Sequence, residues 1–228
     1  MKPLATLFLF VTAMAHAQSH EDIVARAFET LDESFPEKWA FTETVEKEEG
    51  STVATHDPDR AGDTLWMLVS VDGQDPTDKE IADFRKMKGK RREAREESED
   101  GGRLTVGNMV RPGSLELIEE TDEFWLFGFS PVADSEDDEK FMRAVDGTLQ
   151  VVKDGHYVAW LRMQNRETVK PGKGVKLETF DTRLEFTPAY EGGPVLPAGV
   201  RTEVKGKAFV VVKFNEIEKI RYSDFQPR

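Results

Sequence analysis

Short segments with alternating apolar and polar residues, separated by turn signals, constrain this fold more than any other feature. Side chains of a strand point alternately to its two faces, so alternation indicates a sheet with one buried face. From residue 103 onward we predict strands near 103–110, 113–119, 123–129, 140–144, 148–153, 156–166, 173–187 and 199–225, the last divided near Gly206. The predicted fold class is α+β: a curved antiparallel half-barrel of about 11 strands with an N-terminal helix and one charged helical excursion.

Three strands are predicted upstream of residue 77. In the first, Trp39, Phe41 and Val45 share one parity, and Glu43 is the exception that breaks the alternation. Residues 51–56 form its predicted partner. Residues 64–71 (TLWMLVSV) are apolar on both faces, which predicts a strand covered on both sides and ended by the turn dipeptide at 72–73 (DG).

Local irregularities are predicted from turn residues and from changes of parity. The dipeptides 146–147 and 154–155 (both DG) favour tight turns between strands, and 171–174 (PGKG) favours a hairpin turn. The apolar parity switches near Glu178, which predicts a bulge there. Residues 131–139 and 187–199 are predicted to be exposed loops.

Two helices are predicted. Residues 19–34 place Ile23, Ala27 and Leu31 on one face, with Ser19 as the cap and Pro36 as the stop. Residues 77–99 begin with a capping box, Thr77 and three residues later a glutamate.

The second helix carries an apolar stripe only in its first turns, at Ile81, Phe84 and Met87. Its basic cluster, Lys86–Arg95, stands out in a chain with a net charge of −13. One interpretation is a solvated helix that frays into a mobile loop over 86–100. The alternative is an arm that docks an acidic partner or a lipid headgroup.

The N-terminus has the pattern of a secretory signal. Lys2 precedes an apolar stretch, 4–15, and 15–17 (AHA) is a small-x-small cleavage pattern. We predict a signal peptide over 1–17 and one half-barrel domain over 18–228. The alternative, an uncleaved anchor, would need a longer apolar run than the twelve residues present, which span ~18 Å of helix.

Composition excludes several classes of site. The chain has no cysteine, which rules out disulfides, thiolate metal sites and a lipidated N-terminal cysteine. An export signal without disulfides predicts a periplasmic protein. The acidic balance disfavours nucleic acid and anionic lipid headgroups as non-specific partners, and no apolar stretch predicts a membrane-spanning helix.

The sequence shows no catalytic constellation, and we predict no enzyme, no cofactor and no metal site. G-x-S-x-G, S-x-x-K and Gly-rich phosphate loops are absent. The histidines lack metal-ligand spacing. His56 with Asp57 and Asp59 offers three polar groups in one short loop, a pattern that is more typical of an Asp- and Pro-rich turn than of a cation site.

Some strands are apolar on both faces, notably 124–129 (FWLFGF) and 208–214 (AFVVVKF). A second apolar face must be covered by helices, a partner or a ligand. The sequence leaves two outcomes open: an apolar cavity, or a sheet curled tightly on its own core.

The layout resembles the periplasmic lipoprotein-carrier superfamily (LolA/LolB-like, outer-membrane lipoprotein-sorting proteins). The similar features are a signal, an N-terminal helix, an aromatic first strand (39–44, WAFTET), a tryptophan strand ending at 71–73 (VDG), a helical excursion, a hairpin at 147–152 (GTLQVV) and a closing strand at 221–225 (RYSDF). The resemblance implies an incomplete antiparallel barrel whose apolar hollow binds acyl chains without catalysis. The long charged segment 86–100 departs from it, and the carriers' functional arginine has no match here.

Two functional hypotheses follow, with a hydrolase a distant third for want of catalytic residues. The first is an exported soluble protein, a carrier, that holds a lipid, a lipoprotein acyl chain or another apolar ligand in the half-barrel. The residues we expect to line the cavity are Trp39, Phe41, Trp66, Leu68, Trp125, Phe127 and Trp160. The second is an envelope interaction or structural module without a small ligand, which binds a protein partner through Lys86–Arg95.

Overall fold

A computed structural model describes residues 19–97, 106–133, 136–172, 174–209 and 212–228. The predicted signal peptide, 1–17, lies outside these residues, as does the end of the charged segment. Three α-helices lie within them: α1 (His20–Phe28), α2 (Asp78–Glu97) and α3 (Glu136–Met142). The strands are β1 (Trp39–Lys47), β2 (Gly50–His56), β3 (Trp66–Val71), β4 (Glu116–Glu120), β5 (Phe124–Phe129), β6 (Val145–Val152), β7 (Tyr157–Asn165), β8 (Val169–Gly172), β9 (Val175–Pro188), β10 (Val195–Ala208) and β11 (Val212–Pro227).

The strands form one curved, open antiparallel sheet, so the predicted α+β class is confirmed. The order is β3-β2-β1-β11-β10-β9-β7-β6-β5-β4, and β8 pairs with β9. The last strand, β11, lies beside the first, β1, and joins the N-terminal and C-terminal parts of the chain in one sheet.

Several local predictions are confirmed. Ser19 caps α1 by accepting the N–H of Asp22. The capping box of α2 is formed: Thr77 N–H donates to a carboxylate oxygen of Glu80 at 2.7 Å, and Glu80 N–H donates back to the Thr77 hydroxyl. Both capping contacts lie within three residues of sequence, which is why the sequence predicts them.

The bulge near Glu178 is also confirmed. Lys205 pairs with Thr179 and Gly206 pairs with Leu177, which leaves Glu178 as the extra residue. The turn at 72–73 and the hairpin between β8 and β9 form as predicted.

Two predicted strands are wrong. The described part of 103–110 is a 3-10 helix, Val106–Met109, followed by a single bridge from Val110 to Pro131. Most of 140–144 is the end of α3, and the predicted loop 131–139 contains the start of that helix. Phe141 packs edge-on against Phe180 at 5.2 Å, a contact on another strand that the local sequence does not show.

Three boundaries also differ from the predictions. α1 ends at Phe28, because Leu31 leaves the helix to bridge Val195. β10 begins at Val195, inside the predicted 187–199 loop, and the turn to β11 follows Ala208 and not Gly206. Gly147 lies within β6 and not in a turn, since the Phe129 ring occupies the space beside its Cα.

The apolar core is divided into separate clusters. The largest lies where α1 packs on β6 and β7, around the fully buried Phe127, Leu149 and Leu161. A second cluster surrounds Trp39 and Phe41 at the other end of the sheet. In a third, Phe84 of α2 packs on Ala54 and Leu68.

Candidate ligand-binding face

One face of the sheet carries all three clusters, and we call it the inner face. Strand pairing relates its side chains across the sheet: Phe127 is opposite Leu149, Leu149 is opposite Leu161, and Leu161 is opposite Leu184. At the other end the same face carries Phe41, Glu43, Ala54 and Leu68. Both α1 and α2 therefore pack on the inner face, at opposite ends.

Between these ends lies a strip that is half-buried. On β9, β10 and β11 its apolar and threonine side chains are Thr182, Leu184, Val200, Thr202, Val204 and Ile220. Glu218 lies on the same face, opposite Thr202, and forms an ion pair with Lys47. Thr182 and Thr202 hydrogen-bond each other through their hydroxyls at 2.7 Å. We call these six residues the inner strip.

The chemistry of the inner strip suits an apolar chain. Its threonine hydroxyls satisfy one another, so their methyl groups add to the apolar surface. Four strand spacings, from β7 across to β1, give a width of ~19 Å at ~4.8 Å each. A linear hydrocarbon laid across the strands would contact several of these side chains at once.

The α2 end is closed by a buried ion pair. The Lys88 ammonium lies 2.6 Å from a Glu43 carboxylate oxygen and 3.4 Å from the centroid of the Trp66 ring. The two charged side chains are only 10 % and 9 % exposed. Burial lowers the pKa of Lys88, and the Glu43 carboxylate acts against that change.

His56 lies beside this ion pair and is buried. Its Nδ1 is 3.0 Å from the Trp39 carbonyl oxygen, and its ring stacks on Phe41 at 4.8 Å between centroids. Burial lowers the pKa of His56, while the bond to the Trp39 carbonyl raises it. The imidazole is therefore held neutral, with Nδ1 donating to the carbonyl.

Tyr222 completes the α2 end from β11. It pairs with Glu43 in the strand register and meets Phe41 edge-on at 5.5 Å. Burial raises the pKa of its hydroxyl, and the nearby Glu43 carboxylate adds to the effect. The neutral phenol is thus the stable form at this position across the physiological range.

The structure brings together only some of the residues predicted to line a cavity. Trp39, Phe41 and Trp66 meet in the cluster at the α2 end. Leu68 lies beneath Phe84 of α2.

The other predicted cavity residues lie elsewhere. Phe127 is fully buried, with the His20 ring 5.4 Å away, and Trp125 lies beneath the Lys153 ammonium on the same inner face. Trp160 lies on the opposite, outer face, where its Nε1–H donates to Gln150 and the Arg183 guanidinium stacks over its ring at 4.4 Å.

The His56–Asp59 loop does not gather a metal site. His56 points into the core, whereas Asp57 and Asp59 form ion pairs with Arg228 at the surface. Within the described ranges no three His, Cys, Asp or Glu side chains converge to hold a metal ion.

Glu43 and the inner strip were not identified from the sequence as site residues, and Lys88 was predicted only as one base of the docking cluster Lys86–Arg95, whereas its side chain is buried. Glu43 did leave a signal, because it is the residue that breaks the alternation of β1. The burial of Lys88 against Glu43 left no signal, since Lys88 is one base in a run of bases and its partner is 45 residues away.

No described helix is long and apolar enough to cross a bilayer. Comparison of the chain with family models, curated proteins and solved structures finds no match. The resemblance to lipoprotein carriers therefore remains a prediction from the sequence layout.

Proposed function

We propose that this protein is an exported, non-enzymatic binding protein that holds an apolar chain, such as a lipid or lipoprotein acyl group, against the inner face of its sheet. The observation that carries the proposal is the inner strip, a half-buried apolar surface between two helix-covered ends. A ligand there would bury apolar surface at ~25 cal/mol per Å².

The separate clusters support this proposal. In a sheet curled tightly on its own core, the residues between α1 and α2 would be buried to the same degree as Leu149 and Leu161. They are half-buried instead, although their side chains are apolar or paired. His56 is neutral and Lys88 is paired with Glu43, so neither side chain presents an unpaired charge to the strip.

A matched pair of variants tests the proposal. Thr202→Glu places a carboxylate in the inner strip, while Thr55→Glu makes the same change on the outer face of β2. Titration of a fluorescent long-chain fatty acid should show binding to the wild type and to Thr55→Glu. For Thr202→Glu we expect at least ~10-fold weaker binding, because a carboxylate beside an acyl chain loses hydration without gaining a partner.

Native mass spectrometry of protein recovered from an exporting host gives an independent measurement, in which an apolar adduct is expected. The proposal fails if the wild type shows neither the adduct nor saturable fatty-acid binding. It also fails if Thr202→Glu, with an unchanged circular dichroism spectrum, binds as tightly as Thr55→Glu.

A second candidate function, an envelope module that docks a protein partner, is favoured by the outer surface of α2. Lys86, Lys90 and Arg91 are exposed, while Lys88 holds the same helix to the sheet. A charged helix anchored in this way presents its bases in a fixed arrangement. Replacing Lys86, Lys90 and Arg91 by Gln should remove a partner from pull-downs of envelope extract, and an unchanged set of captured proteins would contradict this function.

A further inference from the structure

The ends of the β8–β9 and β10–β11 hairpins extend beyond the rest of the sheet. β1 last pairs with β11 at Glu218, and β7 last pairs with β9 at Asp181. Residues 212–217 of β11 therefore extend past β1 by ~20 Å at ~3.3 Å per residue. On the other edge, residues 175–180 of β9 extend past β7 but lie beside β8 and α3. We call the described residues of this projection, 169–172, 174–180, 205–209 and 212–217, the tip.

The tip exposes large apolar side chains. Phe209 is 74 % exposed and Val212 is 56 % exposed, and Phe209 is the most exposed large apolar residue in the part of the chain that the structure describes. Isolated exposed apolar residues are common, but these two lie near each other in the chain, Phe209 directly after β10 and Val212 at the start of β11.

Phe209 is held in an unusual backbone conformation. Its φ is +50°, a region that bulky residues rarely occupy. Its N–H donates to the Gly174 carbonyl at 2.6 Å, and its ring lies close beside that glycine. The two hairpins are thus joined at their ends, and the ring is directed outward by a bonded backbone.

Lysines surround the apolar end of an otherwise acidic protein. Five belong to the tip, with Glu178 as a counter-charge 3.6 Å from one of them: Lys170, Lys176, Lys205, Lys207 and Lys213. Glu216 lies at the base of the projection. The chain as a whole has a net charge of −13, so the sign of the charge is reversed locally.

A hollow of about 360 Å³ opens among these lysines. Lys205, Lys207 and Lys213 line it together with Asn215, and Phe214 forms an apolar part of its wall. Glu178, which pairs with Lys207, also lines it. Ammonium and amide donors around an apolar wall match a phosphate group attached to a hydrocarbon.

We propose that the tip docks on a bilayer surface that carries anionic phospholipid headgroups. Phe209 and Val212 enter the boundary between headgroups and acyl chains, and the lysines behind them contact the phosphates. With the apolar end at the boundary of the acyl chains, the basic residues behind it lie at the depth of the anionic phosphates. Lysine stems can extend along this interface. If the partner were instead a protein with a purely acidic surface, the lysines would be paired but the Phe209 ring would have no apolar partner.

The length of the tip explains how an acidic protein approaches an anionic surface. At physiological ionic strength the Debye length is ~8 Å, so on the β11 edge an extension of ~20 Å places the body more than two screening lengths behind the contact, whereas α3 packs on β8 beside the tip at the other edge. The membrane then interacts with the lysines of the tip and only weakly with the acidic body.

Vesicle co-sedimentation tests the proposal with purified protein. We expect binding to phosphatidylethanolamine vesicles containing phosphatidylglycerol, little binding to phosphatidylcholine vesicles, and loss of binding at 0.5 M salt. Phe209→Asn removes the ring but suits the left-handed backbone, so stability should be retained while the partition coefficient falls about 10-fold or more.

Charge variants give a matched comparison. Lys176, Lys205 and Lys213 replaced by Gln should abolish binding, whereas the same change at Lys38, Lys79 and Lys219, which are exposed elsewhere, should leave it within about twofold. The proposal is overturned if the wild type does not bind the anionic vesicles, or if the two triple variants bind equally. Binding to an acidic protein that survives the Phe209→Asn change, without vesicle binding, would assign the tip to a protein partner instead and also overturn it.

Because the chain lacks cysteine, a single introduced thiol reports the depth of contact. Phe209→Cys carrying an environment-sensitive dye should shift its emission to the blue on anionic vesicles, and Tyr190→Cys, 60 % exposed in the β9–β10 connection, should not. The inference does not depend on the proposed ligand, since Thr202→Glu should bind vesicles normally. Equal emission from both labelled positions would overturn it.

Discussion

The buried pair of Lys88 and Glu43 allows a prediction whose size follows from the structure. Lys88→Met leaves the Glu43 carboxylate, 9 % exposed, without its ammonium partner. Removing one member of a buried ion pair costs ~3–5 kcal/mol, because the remaining charge has lost its solvation as well as its partner. We expect Glu43→Met to have a similar cost.

The double variant separates the cost of an orphaned charge from the net value of the pair. With Lys88→Met and Glu43→Met together, no charge is left in the apolar site, and unfolding free energy should return to within ~1 kcal/mol of the wild type. The cycle should therefore give a coupling of ~5 kcal/mol or more between the two residues. Lys90→Met, on the same helix but exposed, should change stability by less than ~0.5 kcal/mol.

Urea unfolding followed by tryptophan fluorescence measures these changes, and Trp66 beneath the ammonium makes the signal sensitive to the site. With a slope of ~1–3 kcal/mol per M, either single variant should lower the midpoint by about 1 M or more. Amide exchange in α2 would show whether the helix detaches before the sheet unfolds. A single-variant cost below ~1 kcal/mol, or a double variant as unstable as the sum of the singles, would refute this reasoning.

Three further predictions follow from particular contacts. His56, whose pKa is lowered by burial, gains a proton more readily in the unfolded chain. Stability should therefore fall as pH drops below ~6.5, and His56→Gln should show a smaller fall between pH 7.5 and pH 5.5 in urea titrations; equal falls would contradict this. In Gly147→Ala the new Cβ would lie 2.3 Å from the Phe129 ring, so we expect a loss of ~1–3 kcal/mol in thermal unfolding, and a neutral result would show that the ring moves freely. Gly89→Ala, where the new Cβ meets nothing within 4 Å, should instead stabilise α2 by ~0.5–1 kcal/mol, and any loss would contradict its helical, open position.

The two binding proposals concern different parts of the molecule and can fail separately. The inner strip is formed by residues in the middle of β9, β10 and β11, whereas the tip is formed by the far ends of the same strands together with β8. A fatty acid that binds while vesicles do not would leave only the first proposal standing, and the reverse result would leave only the second. If both hold, one set of long strands joins a site for an apolar chain to a surface that meets a bilayer.

Sequence by itself determined those features that depend on neighbours a few residues apart. The period of two identified most strands, the Thr77–Glu80 pair identified the start of α2, and the change of parity identified the bulge at Glu178. Each follows from steric or hydrogen-bonding rules that act within one turn or one pleat. For that reason the fold class could be predicted while its strand order could not.

Only the tertiary structure decided which face of each strand is covered and by what. Leu31 ends α1 through a bridge to Val195, and Lys88 is buried against Glu43 across 45 residues. A two-residue period shows that a strand has two faces, but coverage depends on elements brought in from elsewhere in the chain. The same limit applies to the tip. The apolar sequence of 208–214 predicts a core strand, and only the pairing register shows that β1 ends before it reaches this part of β11.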